Sequence, residues 1–96
     1  MNERIIKDDK EFTVSMNFGK ILDSYYPHFD VNYRGMNGKF AIDLSIIEGN
    51  LPTSVTYMVM GWARNNYRVL EEAWMSLLQE RLTTISNGKN KNLSAA

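Results

Sequence analysis

Few side chains in this sequence have chemistry to offer. His28, the single histidine, stands two residues before Asp30. On a strand that spacing places both on one face, where they could form a general base or half of a metal site. A metal site of ordinary type needs three or four convergent ligands, and the chain has no cysteine and no second histidine. A surface histidine at a strand start is therefore expected, with no metal and no cofactor. Asp30 and Asp43 form the second pair. In the hairpin register described below, Asp43 opposes Asn32 and Asp30 lies diagonal to it, at roughly 7–8 Å, close enough to share a cation or act together in hydrolysis. A solvated strand face explains them as well. No serine or lysine sits in a nucleophile-elbow context, and no glycine-rich loop precedes a helix. No catalytic residues are assigned, and the chain is not expected to be an enzyme.

The segment Trp62-Ala-Arg-Asn-Asn-Tyr67-Arg68 is more suggestive. On a helix Arg64 and Arg68 lie one turn apart, with Tyr57 on the same side and Tyr67 on its flank. Met60 and Met75 fall off the main apolar stripe near Tyr57, and methionine makes an adaptable apolar surface. Arg, Tyr and Met are enriched at protein interfaces. Tyr57, Met60, Arg64, Tyr67, Arg68 and Met75 are accordingly the candidate partner-binding residues. The alternative is a nucleic-acid surface built from Arg34, Lys39, Arg64 and Arg68, since arginine beside tyrosine suits phosphates and stacked bases. Eleven basic residues balance eleven acidic ones, which disfavours a dedicated nucleic-acid binder and places no charge barrier against a homodimer.

These residues need elements to position them. His28 to Ile47 reads as a β-hairpin centred on Asn37-Gly38, the pair that most favours a two-residue type I′ turn. Met36 then faces Lys39; Gly35 faces Phe40, Tyr33 faces Ile42, Val31 faces Leu44 and Phe29 faces Ile46 on one face, and Asp30 with Ser45, Asn32 with Asp43 and Arg34 with Ala41 lie on the other. Phe12, Val14, Met16 and Phe18 alternate with polar residues, so 10–18 is a half-buried strand. Phe18, Ile21, Leu22 and Tyr25 are spaced for a short helix over 19–26, stopped by Pro27. From Val55 the apolar positions follow a helical period to about residue 86, with core roles for Met58, Trp62 and Trp74.

A helix over 53–86 would span about 51 Å, whereas a globule of 96 residues has a diameter near 32 Å, taken from a radius of gyration of ~12.5 Å. Three arrangements relieve the excess. The helix breaks near Gly61 or Asn65-Asn66, or it overhangs against a second copy, or residues 54–60 form a strand. The expected architecture is α+β. A small antiparallel sheet of three strands (10–18, 28–35 and 39–47), or four with 54–60, is packed on one face by a long C-terminal helix or helix pair. Residues 1–86 make one domain and 87–96 a disordered polar tail.

The absence of cysteine and of a secretory leader points to the cytoplasm, and no apolar run is long enough for a membrane. The leading expectation is a non-catalytic protein-binding module. It would be a small adaptor or inhibitor docking on a larger protein, of the size class of mobile-element accessory proteins that act on a host factor.

Overall fold

The computed structural model describes the backbone of residues 3–94 and the side chains of residues 3–83. The chain runs β1 (Arg4–Asp8), β2 (Thr13–Met16), β3 (His28–Tyr33), β4 (Met36–Ala41), β5 (Ile47–Gly49), α1 (Thr53–Asn65) and α2 (Tyr67–Ser94). The strands form one antiparallel meander in the order β1-β2-β3-β4-β5. Both helices cover the same face. Val14, Met16, Phe29, Val31 and Phe40 from the sheet pack against Val55, Val59 and Ala63 of α1 and Leu70, Trp74 and Leu77 of α2. The other face carries Thr13, Ser15, Asp30, Asn32, Asn37 and Lys39, so the central strands alternate between core and polar side chains.

The α+β class is as expected, but the sheet has five strands, not three or four. The two extra strands are β1 and β5. Residues 54–60 are helical and add none. Strand β1 carries a bulge between Ile5 and Lys7 and is tied to α2 by Arg4, whose guanidinium donates to Ser76 Oγ at 2.9 Å and to Glu80.

The hairpin turn sits three residues earlier than expected, at Arg34-Gly35. Both have positive φ, +50° and +85°, as a type I′ turn requires. Phe29 therefore pairs with Phe40, Val31 with Gly38 and Tyr33 with Met36. Displacing the turn by three residues changes each partner by six positions. Six is even, so Phe29, Val31 and Phe40 stay on one face and Asp30, Asn32 and Lys39 on the other, as the alternation assigned, whereas Met36 crosses to the face of Tyr33. The shift frees residues 42–45 to turn the chain back, so that β5 pairs with β4. Gly38 faces Gly49 there, beneath Leu51.

The expected helix over 19–26 does not form. Ile21 and Ser24 exchange backbone hydrogen bonds of 2.8 and 3.0 Å across Leu22-Asp23, both at positive φ. Eight residues are too few for a helix without a packed face, and only Ile21 of the apolar set is fully buried, while Leu22 is 66% exposed. Phe18 instead stacks between Tyr25 and Trp74, with ring centroids 5.1 and 5.3 Å away.

The long helical pattern is interrupted once, at Asn66, which has φ −125° and ψ 24°. Its amide N–H donates to the Ala63 carbonyl at 3.1 Å and its side-chain Nδ2 to the Trp62 carbonyl at 2.8 Å. The Asn65-Asn66 break is thus one of the expected resolutions. Met58, expected in the core, is exposed; Trp74 is buried and Trp62 packs against the core from a half-buried position. The molecule measures 57 × 24 × 23 Å. The helical backbone continues past Asn87-Gly88 to Ser94. The side chains on both sides of the domain-and-tail division at 86/87 lie outside the described residues, as do Ala95 and Ala96 entirely. Among the described residues no helix is long and apolar enough to cross a membrane.

Candidate binding groove

Strand β4 ends at Ala41 because of local hydrogen bonding. The Asp43 carboxylate accepts from the Ser45 backbone N–H at 3.0 Å and from its hydroxyl at 2.6 Å. Leu44 donates its N–H to the Ala41 carbonyl at 2.8 Å and adopts φ +63°. This is the Asx-turn chemistry that aspartate supplies two residues before a serine. The resulting lip is fixed to the loop before β3: the Ile42 N–H donates to the Pro27 carbonyl at 3.0 Å, and the Tyr26 hydroxyl donates to Asp43. These hydrogen bonds hold the Asp43 carboxyl below the ordinary aspartate range, those from the Ser45 side chain first and Tyr26 next.

Opposite this lip lies the α1–α2 junction. After the break at Asn66, Tyr67, Glu71, Trp74 and Met75 recur at i, i+4, i+7 and i+8, so one face of α2 looks toward the lip. Tyr26, Asp43 and these four α2 residues line a chamber of about 240 Å³. It adjoins a second lobe lined by Leu44, Met60 and Arg64, and the two share Ile42, Asp43 and Tyr67. Together they make one groove along the sheet end.

Four of the six residues singled out in the sequence, Met60, Arg64, Tyr67 and Met75, meet in this groove. Tyr57, 68% exposed, and Arg68 lie on neighbouring surface and line neither lobe. Tyr26, Asp43 and Glu71 were not expected there. Asp43-Leu-Ser45 was the available signal, but reading 39–47 as one strand hid the turn.

The other candidates are dispersed. His28 is not a surface residue: it is 1% exposed, with its ring centroid 5.5 Å from that of Trp74. Its Nδ1 lies 2.7 Å from the Tyr26 carbonyl. A carbonyl only accepts, so Nδ1 donates to it, and Nε2 is buried without a partner among the described residues. Asp30 instead pairs with Lys39 Nζ at 3.0 Å and accepts weakly from Asn17. The register change also parts Asp30 from Asp43, which leaves the sheet for the lip. Among the described residues no three His, Cys, Asp or Glu side chains gather as a metal site. Of the basic set, Lys39 is in an ion pair on the outer sheet face, and Arg34 sits over the Tyr33 ring at the far hairpin tip. That tip is about 20 Å, one six-residue strand, from the groove where Arg64 lies.

No curated protein and no solved structure matches the chain. One family model does match, over residues 12–75, two-thirds of the chain, from the edge of β2 through every residue lining the groove. The chain belongs to this family, described as a domain of unknown function, DUF4160.

Proposed function

We propose that this protein is a non-catalytic protein-binding module, an adaptor or inhibitor, whose partner docks in the groove between the Ile42–Ser45 lip and the α1–α2 junction. One observation carries the reading. Exposed Tyr67 and Met75, with Met60 and Arg64 beside them, meet in a single concave surface instead of scattering over the helix. Tyrosine, methionine and arginine in a concave patch are what interface hot spots are made of.

The test is capture from a cellular extract on immobilised wild-type protein, beside Tyr67→Ala and Met75→Ala, with light scattering to detect a second copy as the partner. Both substitutions are at exposed helix positions and leave the far-ultraviolet circular dichroism unchanged. The expected result is a partner retained by the wild type and weakened at least about fivefold by Tyr67→Ala, the scale of a hot-spot truncation. Equal retention by all three proteins would refute the assignment. The nucleic-acid alternative through Arg34, Lys39, Arg64 and Arg68 makes a separate prediction, binding that collapses as salt rises. A mobility shift at low salt decides it.

A further inference from the structure

We infer that the smaller chamber of the groove takes up a cationic side chain, the guanidinium of arginine or the ammonium of lysine, presented by a protein partner. This deepens the protein-binding reading and rests on it. Three aromatic side chains, Tyr26, Tyr67 and Trp74, line the chamber together with two carboxylates, Asp43 and Glu71. No lysine or arginine lines it, and neither carboxylate has an ion-pair partner among the described residues. Aromatic walls, two of them the exposed tyrosines Tyr26 and Tyr67, beside two carboxylates select organic cations, because aromatic rings and carboxylates both attract the same charge. An anion would be repelled, and a neutral apolar group would leave the carboxylates unused.

Asp43 stays ionised because Ser45 and Tyr26 donate hydrogen bonds to it, and Tyr26 is thereby held at the chamber wall. Size points the same way. At about 240 Å³ the chamber lies below the roughly 300–1,000 Å³ of small-molecule and cofactor sites and suits one long side chain. Arg64 lines the adjoining lobe, which shares Asp43 and Tyr67 with this one, and is not among the residues that line the chamber itself.

The experiment is a nuclear magnetic resonance titration of the full-length protein, following the Trp74 indole and the Met75 methyl. The probes are Nα-acetyl-arginine amide and its neutral isostere Nα-acetyl-citrulline amide. The expected result is a saturable shift with the arginine probe, at least about fivefold tighter than with citrulline and weakened by added salt. Glu71→Gln, an exposed and conservative change, reduces the arginine affinity by roughly three- to fivefold, and Tyr67→Leu, which keeps an apolar wall, also reduces it. Equal shifts with both probes overturn the cation assignment but leave a chamber that accepts neutral side chains, so the protein-binding reading stands. Absence of shifts with either probe also overturns it, while the capture experiment with Tyr67→Ala, which does not depend on charge, judges the broader reading by itself.

Discussion

Replacing Gly49 with alanine destabilises the fold more than any other glycine-to-alanine change named here. Gly49 has φ +119°, a conformation that L side chains rarely adopt, and it faces Gly38 across the β4–β5 pair. A Cβ at Gly49 would meet the Asn37 carbonyl oxygen and, at 2.6 Å, the Gly38 Cα. Both are backbone atoms held in the sheet and cannot rotate away. Strain at such a φ costs about 1–3 kcal/mol, and forced overpacking about 1–3 kcal/mol more. The expected loss is therefore about 2–6 kcal/mol, a large share of the ~5–15 kcal/mol that stabilises a domain.

Urea unfolding followed by circular dichroism measures this directly, and Tm should fall by about 8 °C or more. Two controls calibrate it. At Gly38 a Cβ would meet only the Leu51 side chain, at 2.8 and 3.1 Å; that side chain can move, so Gly38→Ala costs less, about 1–2 kcal/mol. At Gly61, inside α1, a Cβ meets nothing within 4 Å, so Gly61→Ala gains about 0.5–1 kcal/mol of helix propensity. A loss below about 1 kcal/mol at Gly49 would mean that β5 does not lie against Gly38, and the five-strand order would be wrong.

Three further outcomes are expected. The Leu22-Asp23 turn, with both residues at positive φ, uses residue types ill suited to it; the double change Leu22→Asn, Asp23→Gly should stabilise the fold by ~1 kcal/mol in the same unfolding assay. Trp74→Ala removes the ring that Phe18 and His28 pack against and should cost about 3–5 kcal/mol, whereas Val69→Ala on the exposed side of α2 should be near neutral. Asp43 should titrate below the ordinary aspartate range in carboxyl-detected nuclear magnetic resonance, and Tyr26→Phe, which removes one donor, should raise it. Because its folded-state pKa is depressed, the stabilisation it brings is present above the unfolded aspartate value and is lost as pH falls through the folded value.

The sequence by itself determined most of the side chains that face inward, with Met58 and His28 as exceptions. Alternation at Val14, Met16, Phe29 and Val31, and a helical period through Val55, Val59, Ala63, Leu70, Trp74 and Leu77, are local patterns that burial must respect, and all ten residues are in the core. Alternation has a period of two, so it is blind to a shift of six in strand partners. Asn37-Gly38 and Arg34-Gly35 both satisfied it, and only the pairing of β5 against β4, with Gly38 beneath Leu51, decided between them. The groove shows the same division. The α1–α2 residues Met60, Arg64, Tyr67 and Met75 were legible as surface candidates, because a helical period fixes the angle between Met60 and Arg64 within α1 and between Tyr67 and Met75 within α2. Tyr26 and Asp43, far from them in sequence, joined them only through a turn and a loop whose hydrogen bonds exist once the sheet has closed.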